Sequence, residues 1–206
     1  MFLESWQLLI DKCLVHKTVR IRDLSVEALS NLCEFYYNKT ECFDSNAKIL
    51  QDYLKNSNND LEEHVRMGYV LAIGAMPKFI LQHSVHHIVD QLIELALVPD
   101  EIEIRRNGQN PIILTWSEAR RDSVKALAHV VQTLSFDNLD PGTLRKIFDC
   151  FLKALDEYTV DNRGDIGAWV RESSMNALHQ MLIGCPHDRL EPDIVHQVDI
   201  YEQNLC

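Results

Sequence analysis

RESSMNAL, Arg171 to Leu178, is one of four copies of a single octet. RDLSVEAL runs from Arg22 to Leu29, RMGYVLAI from Arg66 to Ile73 and RRDSVKAL from Arg120 to Leu127. Each opens on an arginine that follows an apolar residue: Ile21, Val65, Ala119 and Val170. Four places on comes an apolar side chain (Val26, Val70, Val124, Met175), six places on an alanine (Ala28, Ala72, Ala126, Ala177), and seven places on Leu or Ile (Leu29, Ile73, Leu127, Leu178). Apolar positions spaced this way share one stripe of an α-helix, and an alanine in the stripe lets a neighbouring helix approach closely. The four arginines stand 44, 54 and 51 residues apart in turn. That spacing is close to the period of HEAT and armadillo repeats, with insertions in the later loops.

If each octet is the second helix of a hairpin, an amphipathic first helix is expected upstream of it. Four candidates fit: residues 6–15 with Trp6, Leu9, Ile10, Cys13 and Leu14; 47–54 with Ile49, Leu50, Tyr53 and Leu54; 85–98 with Ile88, Val89, Leu92, Ile93 and Leu95; and 143–158 with Leu144, Ile147, Phe148, Phe151, Leu152 and Leu155. Pro77 and Pro99 are stop signals, and Asp140-Pro141-Gly142 reads as a turn before the last hairpin. The expected fold is all-α, an α-solenoid of about four HEAT/armadillo-like helical hairpins (1–37, 44–80, 84–134 and 143–184) with a partial fifth repeat over 190–206. No alternating apolar run argues for a sheet, although 101–104 and 111–114 read as extended.

Composition agrees. The chain has 206 residues, 46% of them hydrophobic, with 7 Gly and 6 Pro, which suits one helical domain with a continuous core. Its net charge of -11 argues against nonspecific nucleic-acid binding, which needs clustered Lys and Arg. The six cysteines (Cys13, Cys33, Cys42, Cys150, Cys185, Cys206) form no CxxC pair. With no signal peptide and no transmembrane run, they are expected to be reduced thiols in a soluble intracellular protein. Asn38-Lys39-Thr40 matches a glycosylation sequon, which would stay unmodified there.

Catalytic signatures are missing from the sequence. His83, His86 and His87 lack a Cys or carboxylate at ligand spacing to complete a zinc site, and the acidic run around Asp161 and Asp165 breaks the EF-hand order at Arg163. The tripeptide Arg163-Gly164-Asp165 is a chance match to an integrin motif. Phosphate-binding, nucleophile-elbow and metalloprotease motifs do not occur, so neither metal, cofactor nor active site is expected.

The candidate functional residues are therefore partner-binding ones: Arg66, Arg120, Arg121, Arg163, Asp165, Trp169 and Arg171. Two readings of the octet arginines are open. They lie across their hairpins and pair with carboxylates such as Asp23, Asp122 or Glu172, or they form a ladder that meets an acidic partner. Trp116 and Trp169, in the helix-entry turns, are core anchors or interface residues. The long connections 99–114 and 157–165 are the loops expected to reach a partner. Residues 161–169 are expected to form an ordered corner in which Gly164 and Gly167 free the backbone.

The corner also carries a resemblance. YTVDNRGDIGAWVR, Tyr158 to Arg171, together with EEHVRMGYVLAIGAMP, Glu62 to Pro77, and SEARRDSVKALA, Ser117 to Ala128, resembles the tubulin-folding cofactor D family, in its C-terminal region. That resemblance implies a segment of a longer, cytoplasmic helical-repeat protein with microtubule or centrosome association. It implies β-tubulin, an Arf-like small GTPase and tubulin cofactors C and E as partners. The implied role is assembly and disassembly of the αβ-tubulin heterodimer after chaperonin release, with a non-catalytic contribution to GTPase activation. The repeat frame by itself fits a scaffold for another protein client equally well.

Overall fold

A computed structural model describes residues 2–38, 43–59, 61–98, 108, 116–186, 189 and 194. Among them four helical hairpins follow one another. The first pairs α1 (Phe2–Leu14) with α2 (Val19–Leu32), which runs on into a π-helical turn, Cys33–Tyr37. The second pairs α3 (Phe43–Ser57) with α4 (Glu63–Gly74) and is followed by the one-turn helix α5 (Lys78–Leu81). The third joins α6 (Val85–Ala96) to α7 (Ser117–Leu134), and the fourth joins α8 (Pro141–Ala154) to α9 (Gly167–Gly184). Each octet thus lies inside the second helix of its hairpin. The octet helices stack in sequence, α4 between α2 and α7, and α7 between α4 and α9. The chain is an all-α solenoid.

Small residues set the stacking distance. With the octet arginine as position one, Gly68 and Gly74 are positions three and nine of α4. A Cβ on Gly68 would lie 1.9 Å from the Leu14 carbonyl oxygen at the end of α1. A Cβ on Gly74 would lie 2.9 Å from the Cβ of Ala126, position seven of α7. On α9, position three is Ser173, whose hydroxyl donates to the Arg121 carbonyl of α7 at 3.3 Å. Positions three and seven therefore face the preceding hairpin, and positions five and nine, about 200° away round the helix, face the following one.

Burial follows that geometry. Position eight is buried in all four copies, and Val70, Ala72, Val124 and Ala126 of the middle helices are fully enclosed. At the two ends one flank is bare: Ala28 is exposed on α2, and Met175 is 38% exposed on α9. The expected stripe is correct in register, yet whether a position is covered depends on having a neighbouring octet helix on that side.

Several expectations need correction. Asp140-Pro141-Gly142 is the start of α8 rather than a turn: Asp140 is its N-cap and accepts from the Thr143 N–H at 3.0 Å, with Pro141 in the first turn. Helix α8 ends at Ala154, so Tyr158 stands outside it. The 157–165 connection is no open loop. It holds an antiparallel hairpin, β1 (Val160–Asp161) and β2 (Gly164–Asp165), with Val160 opposite Asp165 and Asp161 opposite Gly164. Gly164 has φ +104°, as expected of a glycine needed for its backbone, whereas Gly167 is required because a Cβ would lie 2.4 Å from the Glu157 carbonyl oxygen. The segments 101–104 and 111–114 lie outside the described residues. So do the 99–114 connection apart from Gly108 and the partial repeat over 190–206 apart from Ile194.

Gly68→Ala is expected to lower unfolding free energy by about 3 kcal/mol in urea titrations, because backbone must move to admit the methyl group. Gly164→Ala, with open space around it, is expected to cost only about 1 kcal/mol, from the left-handed backbone alone.

Candidate partner-binding edge

The entries of α4, α7 and α9 meet along one edge of the solenoid, and the edge is built from arginines and carboxylates. Trp116, the residue before α7, has no capping side chain. The missing cap comes from the neighbouring repeat: Glu63 Oε1, in the first turn of α4, accepts from the N–H groups of Glu118 and Ala119, both at 3.2 Å. A carboxylate at a helix N-terminus satisfies otherwise unpaired donors and meets the positive end of the dipole. Burial nevertheless raises the Glu63 pKa above the ordinary value, against the lowering effect of the Ala119 N–H.

The octet arginines mostly hold backbone. Arg22 donates to the carbonyls of His16 and Lys17 at 2.8 and 3.0 Å, and reaches the Met67 sulfur of the next hairpin at 3.8 Å. Arg66 donates to the Asn59 carbonyl at 3.2 Å, and Arg171 donates to the Glu157 carbonyl. In these three the guanidinium closes the turn that precedes its own helix. Arg66 also lies 5.1 Å from the ring centroid of the buried Trp116, a cation–π contact that ties the second repeat to the third.

Glu157 is the hub of the edge. Its carboxylate pairs with Arg120 and accepts from the Thr159 N–H at 2.8 Å and from the Thr159 hydroxyl, while its carbonyl holds Arg171. The octet arginines of α7 and α9 therefore converge on one residue. Arg120 is 3% exposed, and burial pulls its pKa down against the opposing pull of the Glu157 charge. Its head is enclosed in this structure, so Arg120 does not belong to the accessible set. Of the three expected carboxylate partners, Asp122 pairs at 2.8 Å with Arg121, the second residue of its octet, and not with the octet-opening Arg120.

The β-hairpin is pinned above this hub. Arg163 donates to Asp161 at 2.8 Å, reaches Glu118 at 3.4 Å and lies 5.3 Å over the Trp169 ring. Arg171 donates to Asp165 at 2.6 Å and lies 4.6 Å over the Tyr158 ring. Asp161 accepts from the Arg163 N–H at 2.7 Å, closing an Asx turn. The signal for this turn was in Asp-Asn-Arg-Gly, since Asp favours the first and Gly the fourth turn position, but two-residue strands carry no readable alternation.

Arg66, Arg121, Arg163, Asp165, Trp169 and Arg171 thus share the edge, and every arginine in that set has a carboxylate, carbonyl or ring partner. What the edge offers is a frame of paired charges with two exposed side chains, Tyr158 and Val160, on it. Tyr158 is 68% exposed and Val160 67%. Neither was among the expected binding residues. Away from the edge, Cys33 and Cys150 are buried thiols whose pKa values burial pushes up to about 12. No group of three or more His, Cys, Asp or Glu could hold a metal ion among the described residues. No described helix is long and apolar enough to cross a membrane.

Two measurements test the edge. Arg120→Met should lower stability by about 3 to 5 kcal/mol by leaving the Glu157 charge enclosed and unpaired, and the double variant with Glu157→Leu should recover much of that loss. Hydrogen bonding from Arg171 and from Arg163 holds the carboxyls of Asp165 and Asp161 below their ordinary pKa. A depressed carboxylate contributes stability above the unfolded pKa and loses it as pH falls through the folded one. The indole resonance of Trp169 should therefore be constant from about pH 7 to 5 and move only below about pH 4.

No protein-family model matches the chain, and no solved structure matches it. Among curated proteins it is similar to tubulin-specific chaperone D of Dictyostelium discoideum, with 22% identity over 193 residues. That match covers 84% of this chain and 12% of the relative, so the chain spans only a small part of the length of a distant relative named for tubulin.

Proposed function

We propose that the chain is a module of a tubulin-folding cofactor that holds β-tubulin during assembly and disassembly of the αβ-tubulin heterodimer after chaperonin release. The observation that carries this reading is the similarity to tubulin-specific chaperone D, which runs along 84% of the chain. Stacked hairpins supply a long rigid surface suited to a large, incompletely assembled client. Tyr158 and Val160 supply the apolar contact, because an exposed tyrosine on a pre-ordered hairpin loses little conformational entropy on binding.

In this reading an Arf-like small GTPase and tubulin cofactors C and E join the complex, and the chain contributes to GTPase activation by positioning, with no catalytic residue of its own. The site of action is the cytoplasm, with microtubule or centrosome association.

Purified chain, immobilised and exposed to β-tubulin released from chaperonin, should retain it. The double variant Tyr158→Ala, Val160→Asp should bind at least about tenfold more weakly with unchanged melting temperature, as loss of an aromatic anchor costs about 2 kcal/mol. GTP turnover should appear only when tubulin is present. Failure of the unmodified chain to retain β-tubulin sinks the assignment and leaves a scaffold for another client. Undiminished binding by the variant removes the hairpin from the contact.

A further inference from the structure

Between the first two hairpins lies a polar cleft of about 340 Å3. Glu4, Gln7 and Asp11, spaced so that they share one face of α1, form one wall. Lys48 and Asp52 of α3, with the rings of Tyr53 on α3 and Tyr69 on α4, form the other. Gln7 Nε2 donates to the Tyr53 hydroxyl at 2.7 Å and ties the two walls together, so the cleft is a joint within the stack rather than an end face of it.

Acceptors at this joint outnumber donors. Asp11 Oδ1 takes two hydrogen bonds, from Gln7 Nε2 at 2.8 Å and from the Tyr53 hydroxyl, which leaves Oδ2 without a donor among the described residues. Gln7 Oε1 is enclosed with no hydrogen-bond partner among them. An enclosed acceptor left unmet costs about 1 to 3 kcal/mol, which favours any ligand that brings it a donor. Asp52 is exposed and makes no hydrogen bond or ion pair among the described residues. Three carboxylates, Glu4, Asp11 and Asp52, thus stand against the one ammonium of Lys48. Burial raises the pKa of Tyr53 and Tyr69, and Asp11 adds to the rise at both, so the negative field reaches the rings. Those rings meet edge to face with centroids 5.2 Å apart.

Carboxylates beside aromatic rings suit a guanidinium, a planar, weakly hydrated cation with five donors that stacks on ring faces. An ammonium has three donors and holds its water more strongly, so it fits less well. We propose that this cleft receives an arginine side chain of a partner protein, its guanidinium set between Asp11 and Asp52 beside Tyr69, with one N–H supplied to Gln7 Oε1. Free arginine is a poorer ligand, because its α-carboxylate would face the same three carboxylates. The inference does not depend on the client proposed above.

The probe is Nα-acetyl-arginine N-methylamide, titrated into the full chain at low salt, with the ring resonances of isotope-labelled tyrosines as the readout. Saturable shifts of Tyr53 and Tyr69 are expected, with affinity lowered about threefold or more by Asp52→Asn and lowered also by about 0.5 M NaCl. Because Asp52 is exposed, its variant should melt at the same temperature as the parent, which separates a lost contact from lost folding. Absence of saturable shifts, equal shifts with the uncharged citrulline analogue, or unchanged affinity in Asp52→Asn overturns the proposal. So does tighter binding of free arginine than of the blocked form, since the cleft would then belong to a free amino acid.

Discussion

The distance between α4 and α7 is set where Gly74 meets Ala126, and most other features of the solenoid depend on it. Two octet helices this close leave no room for even a methyl group at Gly74, where an added Cβ would lie 2.7 Å from the Ala126 Cα. The approach brings the helix entries into one line. Glu63 of one repeat can then reach the first N–H groups of the next, and Arg66 can lie over Trp116. A wider spacing would leave those donors without a partner, at a cost of about 1 to 3 kcal/mol for each buried group.

The four octet arginines show how one residue type in one frame acquires different surroundings. In three hairpins the guanidinium closes the turn before its helix by donating to backbone carbonyls. A planar fork of five donors suits that task better than a lysine ammonium does. Arg120 follows a much longer connection and bonds instead to Ser117 and to Glu157. Glu157 thereby joins the third repeat to the fourth, and the β-hairpin is fixed at both ends by the groups that fix the repeats. The corner is thus a structural joint whose arginines are consumed in holding it, with Tyr158 and Val160 exposed on it.

The edge and an apolar groove of the first hairpin, lined by Leu24 and Ala28 of α2 and by Trp6 and Leu9 of α1, are built from different parts of the octet frame. The edge uses position one, the arginine, and the groove uses positions three and seven. One repeat pattern thus lays out both a polar and aromatic edge and an apolar face. The two surfaces can be altered independently, because Tyr158 and Ala28 belong to hairpins that are not neighbours in the stack.

The amino-acid sequence determined the helices, their order, the register of their apolar stripes and the octet positions that keep small residues. These follow from local periodicity, which depends only on 3.6 residues per turn and on the size of each side chain. Gly164 was legible as a backbone requirement and Asp140 as a break, though as a cap rather than a turn. Tertiary structure alone decided that Ala28 and Met175 are bare while Ala126 and Val124 are enclosed, that Glu63 caps α7, and that Arg120 is buried against Glu157. The physical reason is that a stripe specifies which face of a helix is apolar but not which neighbour covers it. A cap or ion pair between residues 37 or 56 positions apart, as at Arg120–Glu157 and Glu63–Ala119, forms only after the repeats have stacked.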